Sequence, residues 1–175
     1  MYIIAQTNRI TIREYLPNDL ETYLNHFTDK EVTRYIPNRS TEERITIFNN
    51  AFIQYQTTKT NGMWGMFNSD NGEFIGGCLL RPFHGDPNLF EVGYSINRQL
   101  WGQGLATEMV EALVGYGLST ANIIAIIAVT ELPNIASQRV LEKAGFIRGE
   151  NIFEEDGLEL AFFRLSRLSF LLYFC

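Results

Sequence analysis

The chain has 175 residues, 46% of them hydrophobic and 19% charged. That balance fits one folded domain spanning 1–175 with a sizeable core, and excludes a disordered chain. A formal net charge of −6 argues against direct nucleic-acid binding and favours a cationic partner only mildly.

Cys78 and Cys175 are far apart and form no CxxC, and His26 and His84 belong to no HExxH pattern. Neither a disulfide framework nor a metal site is expected. The opening Met1–Ala5 carries no basic leader. The densest apolar runs, 123–129 and 170–174, fall far short of a membrane span. A cytoplasmic protein without membrane contact is the expectation.

Arg9–Tyr15 alternates with period two and reads as the first strand. Leu16-Pro17-Asn18-Asp19 then starts a helix with Leu20, Tyr23, Leu24 and Phe27 at helical spacing. Asp29 caps a short second helix through Val32 and Tyr35, stopped by Pro37. Ser40-Thr-Glu-Glu43 has the form of a capping box. The helix it opens should bury Ile45, Phe48, Phe52 and Tyr55. Gly62–Phe67 and Glu73–Leu80 form a hairpin around the turn residues Asn68–Gly72.

A loop, Pro82–Asn88, leads to the strand Phe90–Ile96. The next helix runs from Leu105 to near Gly117, with Leu105, Met109, Val110, Leu113 and Val114 on one face and Glu108 and Glu111 toward solvent. Ile123–Val129 is apolar at every position, as in a strand covered on both faces. Pro133-Asn134 opens a helix with Ile135, Val140, Leu141 and Ala144 inward and Gly145 at its end. Strands near 147–153 and 158–165 flank the turn Glu154–Gly157. The run Leu165–Cys175 is too apolar for a loose tail, so it packs on its own domain or on a second copy. A homodimer is therefore one expectation. The element order specifies an α/β fold with a mixed, mostly antiparallel sheet, helices on both faces and one central βαβ unit.

Chemistry concentrates at Gln99-Leu-Trp-Gly102-Gln-Gly104-Leu-Ala-Thr107, between the strand ending at Ile96 and the helix from Leu105. Two glycines one residue apart allow a tight turn and close approach of a ligand to the backbone. The N–H groups of the following helical turn lack intrahelical partners and carry partial positive charge. Together these make a phosphate cradle. A dinucleotide fingerprint needs a third glycine where Thr107 stands, yet Glu131 does follow the next strand, so that ligand class stays open. A nucleoside-triphosphate loop is excluded, since no GxxxxGK[ST] exists.

Gln99-x-x-Gly102-x-Gly104 followed by Leu-Ala-Thr-Glu108 resembles the acetyl-CoA signature of the GNAT superfamily of N-acetyltransferases. Asn134 through Phe146 resembles its second cofactor motif. Ile10-Thr-Ile-Arg13 and Val32–Pro37 resemble the RimJ/RimL-type branch, whose named members acetylate ribosomal-protein N-termini. The resemblance covers about residues 8–165.

It implies that coenzyme A is gripped through its diphosphate by main-chain N–H groups of Trp101, Gly102, Gln103, Gly104, Leu105, Ala106 and Thr107, after Gln99. It also implies that the pantetheine arm lies between strands Phe90–Ile96 and Ile123–Val129, which splay apart. An N–H near Ile96 would bond the arm or the acetyl carbonyl, where it stabilises an oxyanion, and Asn134 would bond the arm or serve as an ordinary helix cap. The implied reaction is direct acetyl transfer, in a ternary complex, to a primary amine on a protein N-terminus or a small molecule.

Such a transfer needs a base. Alternation puts Glu91 beside Gly93 and Ser95 on one strand face, so Glu91, directly or through a water, is the first candidate. His84 is a second. The tyrosine acid common in the family is replaced by Leu141, leaving Ser137, one turn after Asn134, for that role. Trp101 covers the turn or simply packs, and Tyr35 with Phe48, Phe52 and Tyr55 walls an acceptor cleft or fills the core. Other classes fit parts of the pattern: a non-catalytic acyl-CoA sensor, a polyamine or aminoglycoside acetyltransferase, and a dinucleotide-dependent oxidoreductase.

Overall fold

The computed structural model describes residues 1–120 and 122–174. They form two compact units, one of Met1–Leu79 with Tyr94–Leu105, the other of Leu80–Gly93 with the chain from Ala106 onward.

In the first unit, β1 (Ile3–Gln6), β2 (Ile10–Arg13), β3 (Gly62–Asn68), the start of β4 (Phe74–Phe83) and the end of β5 (Asp86–Ile96) are neighbours in that order. The β1–β2 and β2–β3 pairs are antiparallel. Period two in the sequence is the β2 signal, and Ile10 and Ile12 are indeed fully buried. Strand β1 carried no such signal. Its register with β2 shifts between Ile3 and Ala5, and that irregularity breaks the alternation by which a short strand is recognised.

Helices α1 (Leu20–His26), α2 (Lys30–Thr33) and α3 (Thr41–Thr57) complete this unit. A 3-10 turn at Pro17–Asp19 leads into α1. There Asp19 Oδ2 accepts from the Leu16 N–H at 2.7 Å and from Arg13 Nη1 at 2.7 Å. The capping box forms as its sequence requires. Ser40 Oγ accepts from the Glu43 N–H at 3.2 Å, and Glu43 Oε2 accepts from the Ser40 N–H at 2.7 Å. Tyr15, Tyr23 and Phe48 make the buried cluster, with Leu20, Leu24, Phe27, Phe52, Met63 and Phe74 packed against it. Of the α3 aromatics, Phe48 and Tyr55 are therefore core, while Ile45 and Phe52 are half-buried.

In the second unit, the rest of β4 and β5 joins β6 (Ala125–Glu131), β9 (Glu159–Ser166) and β7 (Ile147–Arg148), with β8 (Ile152–Phe153) also on β9. β5 and β6 are parallel, with Leu89, Phe90 and Glu91 opposite Ala125, Ile126 and Ile127. Helix α4 (Leu105–Thr120) is the crossover, so the expected βαβ unit is present. The four consecutive buried residues Ala125–Ala128 confirm a doubly covered strand. Helix α5 (Ile135–Lys143) precedes β7, and α6 (Arg167–Phe174) follows β9. Among the described residues no helix is long and apolar enough to cross a membrane.

Several expectations are corrected here. Pro82–Asn88 is no loop: β4 and β5 run on to a two-residue turn, His84-Gly85, with φ of 47° and 77°. Positive φ at both central positions is the type I′ pattern that matches strand twist. Helix α4 does not stop at Gly117. A Cβ there would lie 2.8 Å from Leu80 Cδ2 and 3.1 Å from Ile126 Cδ1, so this glycine lets the helix sit close on the strands. Ile135 is exposed and not inward. Glu108 and Glu111 are half-buried instead of solvent-facing, and burial, then the charge of Glu108, raises the Glu111 carboxyl pKa.

The apolar C-terminal run forms α6. Its Phe170 ring lies against Gly115 of α4, while Leu168, Leu171 and Leu172 are 69%, 50% and 77% exposed. Cys175 lies outside the described residues.

Candidate active site

The turn after β5 has the conformation that its glycines permit. Arg98–Leu100 is a short 3-10 turn, Gly102 has φ 75° and Gly104 φ 80°, and α4 begins at Leu105. Left-handed φ costs a non-glycine residue roughly 1–2 kcal/mol, so both positions call for glycine. A Cβ on Gly102 would meet nothing within 4 Å, so the space before the turn is open. Among the described residues, the N–H groups of Gly102, Gln103, Gly104 and Leu105 donate to no protein acceptor. Such a row of unengaged amides at a helix start suits a diphosphate.

Two features of the turn differ from expectation. The Trp101 N–H is engaged, donating to Arg98 O at 3.1 Å. The indole Nε1–H donates to Ile96 O at 2.7 Å, so Trp101 buttresses the turn and is not one of its free amides. Gln99 also acts through its backbone, its carbonyl accepting from Gln103 Nε2 at 3.2 Å.

The second feature is Arg9. Its Nη1 donates to Gln103 O at 2.9 Å, and Nη2 would be 3.6 Å from a Cβ on Gly104. A guanidinium therefore stands at the turn. Arg9 and Gln103 line a cleft of about 420 Å³ with Asn68, Asp70, Glu73, Phe74, Leu100 and Leu105. Sequence reading missed Arg9 because 94 positions separate it from Gln103.

On β5, Glu91 does not present a bare carboxylate. Its Oε2 accepts from Arg81 Nε at 2.8 Å and lies 2.7 Å from Nη2. Charge-assisted bonds of this kind must be loosened before that oxygen can serve a substrate. His84, the second candidate, is exposed at the hairpin tip, edge-on to Phe83.

The histidine that does enter a polar network is His26, the last residue of α1, 5% exposed. Nδ1 lies 2.6 Å from Asn97 Oδ1, and Nε2 lies 2.7 Å from Ser95 Oγ. Burial lowers its pKa most. The Asn97 hydrogen bond and Asp29 oppose that, and Arg44 reinforces it.

In the second motif, Asn134 caps α5, its Oδ1 accepting from the Ser137 N–H at 3.2 Å. The cap reading is thus realised, and its Nδ2 is the end that can donate to a ligand. Leu141, read above in place of a tyrosine acid, is buried in the core. Among the described residues no group of three or more His, Cys, Asp or Glu could hold a metal ion.

A mixed sheet with one parallel crossover and an open, glycine-built amide turn at the crossover helix defines a protein built to hold a phosphate-bearing ligand. Residues 9–147 match the acetyltransferase (GNAT) domain family. The chain is 31% identical over 148 residues to the uncharacterized N-acetyltransferase YoaA of Bacillus subtilis, covering 83% of this chain and 84% of that one. Its fold matches RimL, a ribosomal L7/L12 α-N-protein acetyltransferase solved with coenzyme A, at TM-score 0.81 and 14% identity over 94% of this chain and 98% of that chain. It also matches the Vibrio cholerae spermidine N-acetyltransferase solved with CoA and spermine, at TM-score 0.78 and 16% identity over 94% and 99%. The chain belongs to the GNAT family and is an acetyl-CoA-dependent N-acetyltransferase that acts on an amine.

Proposed function

We propose that this enzyme is a cytoplasmic member of the RimJ/RimL-type branch that moves the acetyl group directly to a primary amine in a ternary complex. The carrying observation is the glycine turn, with four unengaged amides and Arg9 beside it. Gly102, Gln103, Gly104 and Leu105, with the first α4 residues Ala106 and Thr107, hold the diphosphate. The Ile96 N–H takes the acetyl carbonyl, Asn134 Nδ2 bonds the pantetheine arm, and Ser137 is the acid toward the departing sulfur. Glu91, paired with Arg81, supplies charge on the acceptor side of β5. Bound acetyl-CoA supplies an activated thioester carbonyl. The lone described cysteine, Cys78, is buried and free, as suits a reducing compartment.

The branch resemblance favours a protein N-terminal α-amine as acceptor. The net charge of −6 favours a second reading, a polycation such as a polyamine or an aminoglycoside. We also propose a second copy of the chain as the partner that covers α6.

Acetyl-CoA consumption with a free-N-terminus peptide, spermidine and kanamycin tests the proposal. One of them is turned over with saturable kinetics, and both substrates must be bound before any product leaves. Tight coenzyme A binding with no turnover on any amine would instead support a non-catalytic sensor.

A further inference from the structure

His26 is a buried titratable group to which the reading above gives no task. Its surroundings fix the tautomer of its neutral ring by bonding alone. Asn97 Nδ2 donates to the Phe74 carbonyl at 2.8 Å, and a carbonyl only accepts. The amide therefore turns Oδ1 toward His26 Nδ1, and Nδ1 must carry the ring proton. In the neutral ring Nε2 is then bare and accepts the Ser95 hydroxyl proton at 2.7 Å. Hydroxyl, imidazole and orienting amide, in that order, make up the arrangement that activates a hydroxyl or passes a proton through it.

We propose that Ser95 and His26 form the proton relay that deprotonates the acceptor ammonium, with Asn97 as the positioning residue. The inference rests on the acetyl-transfer reading. Ser95 is half-buried while His26 is closed off, so the hydroxyl is the end a substrate reaches. Ser95 shares a strand face with Gly93 and Glu91 by alternation. Its Oγ is four covalent bonds from the Ile96 nitrogen, hence within about 4.5 Å of it. An amine attacking a carbonyl held by the Ile96 N–H is therefore within reach of Ser95.

The proton balance is simple. An ammonium proton passes to Ser95 Oγ as the hydroxyl proton passes to His26 Nε2. The freed nitrogen lone pair forms the C–N bond, and the C–S bonding pair leaves on sulfur. The second nitrogen proton ends on that sulfur, and His26 returns its proton to solvent through Ser95.

The groups facing His26 are Arg44 from α3, Asp29 from the α1–α2 connection, and Ser95 and Asn97 from the end of β5 and the residue after it. Burial, then Arg44, lowers the His26 pKa against the opposing Asn97 hydrogen bond and Asp29, which favours the neutral ring a base needs, and activity falls as acid protonates it.

The experiment compares His26→Gln and Ser95→Ala with the unaltered enzyme on its best amine and on methoxyamine, which is already neutral at the assay pH. Both variants lose about 100-fold in kcat/KM on the ammonium acceptor, keep their coenzyme A affinity, and are largely spared on methoxyamine. Asn97→Asp shifts the acid limb of kcat/KM to higher pH, because a carboxylate stabilises the imidazolium. It raises the His26 ¹⁵N titration midpoint in the free protein in the same direction. Equal losses on both amines, an unmoved limb, or ¹⁵N shifts that place the proton on Nε2 would overturn the relay. An unaltered enzyme that binds coenzyme A and acetylates no amine would overturn the acetyl-transfer reading itself.

Discussion

Gly104 shows how one residue decides ligand access. Its φ of 80° is left-handed, yet the nearest atom to an added Cβ is Arg9 Nη2 at 3.6 Å, an ordinary contact. The penalty for Gly104→Ala is therefore conformational and not steric, roughly 1–2 kcal/mol if the turn holds its shape. A turn that relaxes to escape this strain swings its amides off the diphosphate. Calorimetry should show coenzyme A affinity reduced by about tenfold, the equivalent of 1.4 kcal/mol. Unchanged affinity would mean that the turn does not carry the phosphates.

The two glycines were legible in the chain because their spacing is local. His26 was not, since Ser95 and Asn97 lie 69 and 71 positions away. No periodicity records a hydrogen bond made across the fold. Glu91 was legible as a carboxylate on the right strand face, but Arg81 beside it became visible only when β4 and β5 proved to be one tight hairpin.

At the scale of elements, α1 to α5 and the parallel crossover were readable from apolar spacing and caps, whereas α6 was legible only as an apolar run and the other errors fall mostly on glycines and edges. Gly117 was read as a helix end because glycine ends helices often; in fact it lets α4 settle against Leu80 and Ile126. Gly76 gave no sequence signal at all. A Cβ there would fall 2.1 Å from the Ser95 carbonyl oxygen, so only glycine lets β4 approach β5 beside the proposed relay.

Helix α6 carries the apolar tail, and exposed Leu168, Leu171 and Leu172 give it a face that one copy leaves in water. Light scattering should report a dimer for the intact chain and a monomer for a chain ended at Ser166. Equal oligomeric states would exclude an α6-built dimer.

At the scale of the molecule, family membership and chemistry agree while the acceptor is a finer matter. One fold serves enzymes for protein N-termini and for polyamines alike, so the acceptor follows from side chains around the site and not from topology. What the whole account requires is a main-chain grip on a diphosphate at one bend. The direct measurement is amide NMR of the ¹⁵N-labelled protein titrated in parallel with coenzyme A and with pantetheine, which lacks the diphosphate. The account predicts that coenzyme A moves the Gly102, Gln103, Gly104 and Leu105 amide signals strongly and that pantetheine leaves them in place. Saturating coenzyme A binding with those four signals unmoved would contradict it.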